Sequence, residues 1–295
     1  MYDIDKTFLA QTPLEAIQLK QKYPNAVFVN GGTDVMIQMK NRKLKNAILI
    51  GIMNLDELKG IELMPDSAIR IGAGSRFVDI INNELLSSTI PALPYACRQI
   101  GSPQIRNIAT IGGNICNGAV SADSVPVLLS YNAVLEIQDP EKISCISLCD
   151  YHTGPGKTNL ADNEMLLAIK IAADDYKDYY SAFTKFGQRQ AMEIATIACG
   201  TSLKLDKEKN RLVDLRISLS VAAPTPIRCY KTEQSLIGRE INSQLFSDLR
   251  HLVVYDTNPR DSWRSSKDFR IQLIKELSVR TVREAIIKAG GNICD

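Results

Sequence analysis

Two short stretches decide how this chain reads: Val29-Asn30-Gly31-Gly32-Thr33-Asp34 and Thr110-Ile111-Gly112-Gly113-Asn114-Ile115-Cys116-Asn117. Each places two glycines at the end of an apolar run and follows them with small polar residues. A diphosphate needs backbone N–H groups aimed at its oxygens, and an approach so close that a Cβ would block it. A helix starting near Thr33 would add the partial positive charge of its first turn. In the second stretch, Thr110 and Asn114 offer side-chain donors. Two such loops facing one cleft could hold a dinucleotide's diphosphate without any lysine, which suits a retained cofactor better than a nucleotide that is hydrolysed. Gly-Gly also marks ordinary tight turns, and on spacing alone that reading stays open. Neither stretch is the Gly-x-Gly-x-x-Gly fingerprint of a Rossmann domain, so spacing does not say which dinucleotide.

Outward from these loops, Leu14 to Lys22 reads as a helix with Thr12 as N-cap and Pro13 at its first position. Ala26 to Val29 reads as a buried strand, and Thr33 to Met39 as a helix with Val35, Met36 and Met39 apolar. Ala47 to Ile52 is a second strand, with a short turn or helix over Asn54 to Leu58. A second unit opens with a strand over Ala68 to Ile71 and helices over Ser75 to Glu84 and Pro91 to Ile100. A loop rich in Gly, Pro and Asn runs to about Gly118, and Pro126 to Leu129 is short and apolar. Ala133 to Ile137 and Met165 to Ile171 alternate as strands, with a long loop between them. From about Asp174 the character changes. Ser181 to Phe186, Ile194 to Leu205 and Arg211 to Val221 read as three long strands. Helices follow near Glu233, over Gln244 to Val254 and over Lys267 to Lys288, the last stopped by Gly290-Gly291. Strands first and helices after predict a separate α+β domain. The expected division is 1–173, with subdomains of about 1–58 and 59–173, and then 174–295.

Composition narrows the chemistry. With 295 residues, 45% hydrophobic and 23% charged, the chain has the balance of a soluble globular protein with room for two cores. A formal net charge of +2 gives no reason to expect nucleic acid or an anionic membrane as partner. Met1-Tyr2-Asp3-Ile4-Asp5 lacks the basic segment and apolar run of a secretory signal. No stretch approaches the roughly 18–20 apolar residues that span a bilayer, so a cytoplasmic location is expected. The seven cysteines, Cys97, Cys116, Cys145, Cys149, Cys199, Cys229 and Cys294, are odd in number and read as reduced thiols. None forms a Cys-x-x-Cys pair, and His152 and His251 are the only histidines, so no metal site is expected. Cys145 and Cys149 read as two small apolar side chains on one strand. Redox chemistry here must come from an organic cofactor. Gly154-Pro155-Gly156-Lys157-Thr158 ends like an NTPase phosphate loop, but that motif needs a glycine where Tyr151 stands.

The two glycine stretches, extended to Phe28–Val35 and Pro103–Ile115, resemble the signature segments of the molybdenum-hydroxylase flavoprotein family. The resemblance continues through Asn117–Ser124, His152–Lys157, Val221–Cys229 and Ser262–Arg270, and so covers essentially the whole chain. It is strongest to the separate FAD subunits of bacterial xanthine dehydrogenases, and weaker to carbon monoxide and nicotinate dehydrogenase flavoproteins. The resemblance implies a vanillyl-alcohol-oxidase-type FAD-binding domain of two α/β subdomains, followed by three antiparallel strands and helices. It also implies FAD contacts at Phe28, Val29, Asn30, Gly31, Gly32, Thr33, Asp34 and Val35, and at Thr110, Ile111, Gly112, Gly113 and Asn114. Ile100 and Gly101 match adenine-side positions, Asp123 a ribityl- and adenosine-side aspartate, and Leu166 or Leu167 an apolar contact to the ring. Glu193 lies in Gln188–Thr196, a stretch that approaches the isoalloxazine in the family; a surface carboxylate at a strand start is the alternative. Animal xanthine dehydrogenases carry a lysine in place of Thr196 and acidic residues in place of Met192 and Glu193, which leaves NAD against oxygen open.

Flavin carries its own redox chemistry, and the chain holds neither a nucleophile–His pair nor paired carboxylates, so no catalytic residue is named. The implied path runs from a molybdenum cofactor and [2Fe-2S] clusters, on a molybdenum-binding subunit and an iron–sulfur subunit, through FAD here to NAD. Three alternatives stand beside it. One is a self-sufficient flavin oxidase, with His152 as a candidate covalent tether. Another is the flavoprotein of a hydroxylase for a different heterocycle or aldehyde, and the last a flavin-free interaction subunit. In Trp263–Arg270, Arg264, Lys267 and Arg270 could face a partner, or could be solvated charges at a capped helix start.

Overall fold

The computed structural model describes residues 2–293, so Cys294 lies outside the described residues. The first unit runs β1 (Ile4–Leu9), α1 (Pro13–Lys22), β2 (Val27–Val29), α2 (Val35–Lys40) and β3 (Ala47–Gly51), with both outer strands parallel to the central β3. Thr12 caps α1 by accepting the Glu15 N–H, and Pro13 opens it, as the sequence predicts.

The second unit contains β4 (Ile61–Leu63), β5 (Ile69–Gly72), α3 (Phe77–Ile81), α4 (Glu84–Thr89), α5 (Ala92–Arg98), α6 (Pro103–Arg106), α7 (Ile111–Cys116) and α8 (Ser124–Ser130). It continues with β6 (Val134–Gln138), β7 (Ile143–Ser147), the small hairpin β8 (His152–Gly154) and β9 (Lys157–Thr158), and β10 (Met165–Ile171). Its antiparallel sheet has the order β4-β5-β10-β6-β7. After α9 (Ala173–Tyr176) come β11 (Tyr180–Phe186), β12 (Ile197–Leu205), β13 (Leu212–Ser220) and a short fourth strand, β14 (Ile227–Arg228). The chain ends in α10 (Tyr230–Leu236), α11 (Ser243–Leu252) and α12 (Lys267–Lys288). β11 to β14 form one antiparallel sheet; α12 packs on β11 and β12, and α8 reaches β12 and β13. The architecture is therefore the mixed one expected.

Several local expectations are corrected. β1, β4 and β7 escape the sequence reading because they bury little: β1 is exposed at all but one position and buries no face that would write an apolar pattern, whereas the edge strand β2, read as buried, is half-buried throughout. The stretch read as one loop to Gly118 contains α6 and α7, helices too short to show periodicity but each capped, by Ser102 and Thr110. The apolar segment at Pro126 is part of α8, not a separate element. Cys145 and Cys149 do not share a strand: Cys145 is exposed on β7, and Cys149 lies in a 3-10 turn after it. The Gly154–Thr158 segment is the β8–β9 hairpin, with Gly156 in the left-handed region (φ 71°).

Two core clusters hold the chain together. One joins both N-terminal sheets to α3, α5, α7 and α8, and takes in Phe183, Ala195 and Ala198 from beyond residue 174. The other lies between the β11–β14 sheet and α10 to α12. No described helix is long and apolar enough to cross a membrane.

Candidate functional site

The first glycine pair sits where β2 hands over to α2. Gly32 adopts φ 70°, the left-handed conformation that reverses the chain, and its carbonyl accepts the Met36 N–H at 2.9 Å. Gly31 is needed for another reason: a Cβ there would run into the carbonyl oxygen of Ile108. The turn is thus pressed against the segment leading into the second pair. Gly31, Gly32, Thr33 and Asp34 donate no backbone hydrogen bond among the described residues, so a run of N–H groups is available to an incoming acceptor. The helix beyond it starts at Val35, not Thr33, and is only six residues long, so its dipole adds less than expected.

The second pair departs further from expectation. Gly112 and Gly113 lie inside α7, whose N-cap is Thr110; the Gly113 N–H is donated to Thr110 Oγ1 at 3.2 Å. The Ile111 N–H goes to Ser75 O at 3.0 Å and the Gly112 N–H to Ala73 O at 2.8 Å. Asn114 Oδ1 accepts the Ser124 hydroxyl at 2.7 Å. Open amides at Gly112–Gly113 are therefore not what the chain presents, and Thr110 Oγ1 is engaged as an acceptor, with its O–H left as a donor. A helix start must satisfy its first N–H groups, and a threonine N-cap does so locally. What glycine supplies at 112 is space, since a Cβ would lie 2.6 Å from the Ala73 carbonyl oxygen.

Both stretches nevertheless reach one cavity, the first through Phe28 and Asn30 rather than through its glycines. A slot of about 130 Å³ is walled by Phe28 and Asn30 from the first stretch and Gly112 and Gly113 from the second, with Cys116 and Leu166 beside them. Asn30 is shared with a larger cavity of about 660 Å³, whose wall includes Gly31, Lys59, Ser75 and Ile108. On β10, Leu166 lines the slot next to a bulge, and Leu167 is 4% exposed within the core. Ile111 is fully buried and supports the site from behind. Val29 ends β2, Thr33 is half-buried at the turn, Asp34 is exposed, and Val35 opens α2.

A second cluster gathers the remaining residues. Ile100 and Gly101 both offer carbonyls to Arg106 Nη1, at 2.8 and 3.2 Å. Next to Ile100, the Gln99 carbonyl accepts from Lys185 Nζ at 3.2 Å, and the same ammonium meets Asp123 Oδ2 at 2.5 Å. Burial pushes the Asp123 carboxyl up to about 6, against the pull of Lys185. Its Oδ1 is buried without a partner, an acceptor that a ligand hydroxyl would complete. Lys185 escaped the sequence reading, because one lysine near the end of a strand resembles a solvated face; its only signal is the apolar run around it, Ser181 to Phe186. Glu193 lines a cavity of about 330 Å³ together with Gln99 and Lys185. It is not a strand-start carboxylate: β12 begins at Ile197, and Glu193 is held in the preceding loop by Arg189 Nε at 2.7 Å.

His152, the candidate tether, is 8% exposed, and its Nε2 is 3.0 Å from the Ile115 carbonyl near the end of α7. Burial holds its pKa below the usual imidazole value. In the last segment Ser266 caps α12 by accepting the Phe269 N–H. Arg270 is no surface charge: it is 3% exposed and donates to Thr196 O and Ser262 Oγ, each at 2.9 Å. Among the described residues, no group of three His, Cys, Asp or Glu side chains could hold a metal ion.

Residues 4–174 match the family described as the FAD binding domain in molybdopterin dehydrogenase, and residues 181–285 the CO dehydrogenase flavoprotein C-terminal domain. The chain is 40% identical to the xanthine dehydrogenase FAD-binding subunit of Escherichia coli O157:H7, over 99% of this chain and 100% of that one. It is 32% identical to the nicotinate dehydrogenase FAD-subunit of Eubacterium barkeri, over 84% of this chain and 86% of the relative. A crystal structure of Cu,Mo-CO dehydrogenase superimposes with a TM-score of 0.92 over 98% of this chain and 99% of that chain, and at 23% identity it speaks to the fold alone. The chain belongs to the family of FAD-binding subunits of molybdenum hydroxylases, and its cofactor is FAD.

Proposed function

We propose that this chain is the electron-exit subunit of a cytoplasmic xanthine dehydrogenase, receiving electrons from [2Fe-2S] clusters on a partner chain and delivering them to NAD. Purine oxidation at the molybdenum cofactor then belongs to the other partner. The observation carrying this reading is the shared slot, where Asn30 of one glycine stretch meets Gly112 and Gly113 of the other. The full-length likeness to a xanthine dehydrogenase FAD-binding subunit supports the choice of system. The division of labour is supported by the donor set: these residues offer amides, apolar walls and a buried carboxylate held by Lys185, and no metal-ligating cluster among the described residues.

The residues fit FAD as follows. The open N–H groups of Gly31 to Asp34 take the diphosphate, and Asn30, Gly113 and the Asn114 amide flank it. Asp123 accepts a hydroxyl through its unpaired Oδ1 while Lys185 fixes its Oδ2. Ile100 and Gly101 border the adenine side, Phe28 and Leu166 press on the ring, and Glu193 stands at the rim. When bound, FAD supplies the conversion between single-electron delivery and hydride release; the protein's share is orientation, exclusion of water and a fixed charge pattern. The same reading divides the chain at 173/174, with the second unit closing over the first. As a test, the purified chain saturated with FAD oxidises NADH in the presence of an artificial electron acceptor and leaves purines untouched. Purine hydroxylation by the isolated chain would overturn the reading.

A further inference from the structure

All seven residues of α8 are buried, and both ends of this helix are held by the strand-rich C-terminal unit. At the amino end, Asp123 Oδ2 meets Lys185 Nζ of β11, and the Ser124 hydroxyl donates to Asn114 Oδ1 of α7 at 2.7 Å. The last carbonyls of a helix have no partner within it, and here side chains of the C-terminal unit supply one. Arg228 Nη1 of β14 donates to Leu129 O at 3.0 Å and to Asn132 Oδ1 at 2.6 Å. Ser202 of β12 donates its hydroxyl to Ser130 O at 2.6 Å. Between the ends, α8 is pressed onto β12: a Cβ at Gly200 would stand 2.8 Å from the Pro126 carbonyl oxygen.

Arg228 is itself fixed. Its Nε and Nη2 fork onto the two oxygens of Glu233 at 2.8 and 2.7 Å, and both side chains are 5% exposed. Glu233 Oε1 also accepts the Ile217 N–H at 2.7 Å. A bidentate pair holds the guanidinium in one plane, so its remaining nitrogen meets the end of α8 at a set position.

We propose that Arg228, together with Ser202, is a positioning residue for the cofactor. It fixes α8 along its axis and so sets where the unpaired Oδ1 of Asp123 stands, about 10 Å away at the other end of the helix. A close-packed helix transmits such a displacement rather than absorbing it. The inference rests on the placement of Asp123 against FAD proposed above, and extends it to two residues at the far end of α8.

The test uses the full chain, stripped of FAD and titrated with it. Arg228→Gln alone would leave Glu233 as an uncompensated buried charge. It is therefore paired with Glu233→Gln, which keeps an acceptor for the Ile217 N–H, and Ser202→Ala tests the same helix end without any charge. The paired variant should raise the half-saturating FAD concentration about tenfold, the size of one lost charged hydrogen bond, and Ser202→Ala about threefold. In a Lys185→Met/Asp123→Ala background both effects should shrink below about twofold, because the group being positioned is gone. At saturating FAD, the bound flavin's visible band should lose its resolved shoulder in the paired variant. A role confined to holding the fold would lower the urea midpoint of the stripped chain and leave FAD affinity and the flavin spectrum as in the wild type. That result, or losses that simply add to those of the Lys185→Met/Asp123→Ala background, overturns the proposal while Asp123 keeps its place. If that background binds FAD as the wild type does, the placement of Asp123 fails, and the positioning role fails with it.

Discussion

Lys185 of β11 and Asp123 at the start of α8 meet at 2.5 Å with both side chains 7% exposed, joining the strand-rich C-terminal unit to the segment that follows the second glycine pair. Removing one partner of such a pair leaves an uncompensated buried charge, which costs about 3–5 kcal/mol. Lys185→Met should therefore lose roughly that much stability in urea unfolding, and adding Asp123→Asn to it should restore at least half. Additive losses in the double variant would mean that the two groups do not act as a pair.

Because the Asp123 pKa is raised from 3.8 to about 6, the folded state holds a proton there that the unfolded chain releases. The stabilising contribution of that proton is complete below about pH 4 and is lost as pH rises through about 6. Urea unfolding of the wild type and of Asp123→Asn across this window should show the wild type losing stability relative to the variant as pH increases. Parallel curves would place the titration elsewhere.

Gly31→Ala and Gly113→Ala should differ sharply. At Gly31 the new methyl meets the Ile108 carbonyl, which is backbone and cannot swing aside; at Gly113 it meets Thr110 Oγ1 at 3.1 Å, which can give. Overpacking of the first kind costs about 1–3 kcal/mol. Thermal stability without FAD should fall clearly for Gly31→Ala and little for Gly113→Ala, whose methyl instead projects at the slot wall and is read out as weaker FAD binding.

Thr110→Ala removes the cap of the helix that carries the second pair and should cost about 1 kcal/mol. If Thr110 acted mainly as a donor to the cofactor, Thr110→Ala would lose FAD without losing stability. The two readouts, urea midpoint and FAD affinity, separate these outcomes.

His152 is tied to the Ile115 carbonyl, so FAD is expected to be released on acid precipitation, leaving a colourless pellet. With its pKa held below 6.5, His152 contributes stability above that value, and the contribution is lost as pH falls below it. His152→Gln should flatten the acid side of the stability profile while keeping bound FAD. A yellow pellet that turns colourless in His152→Gln would establish a covalent link.

The parts of the fold legible in the sequence were those where local rules suffice. Thr12-Pro13 announces α1, Gly290-Gly291 closes α12, and the nearly continuous apolar run of Met165 to Ile171, rather than an alternation, writes a central strand buried on both faces. The edge strands β1, β4 and β7 lacked a buried face and left no pattern. At the site, the glycine stretches were visible because close approach and positive φ demand glycine. How each works was not visible, since the Thr110 cap and the Ala73 contact depend on tertiary placement. Lys185 gains its meaning only when β11 is laid beside α8, and Arg270 only when α12 carries it beneath Thr196.

The central claim is that the open N–H groups of Gly31 to Asp34 hold the FAD diphosphate, while the backbone of α7 supplies shape rather than donors. Amide hydrogen exchange on the full chain, with FAD bound and after it is stripped, tests this residue by residue. A charge-assisted bond of about 1.5–3 kcal/mol predicts slowing of about tenfold or more at Gly31 to Asp34 when FAD binds, and a far smaller change at Ile111 to Gly113, already bonded within the protein. Slowing confined to Ile111–Gly113, with Gly31 to Asp34 unchanged, would contradict the account.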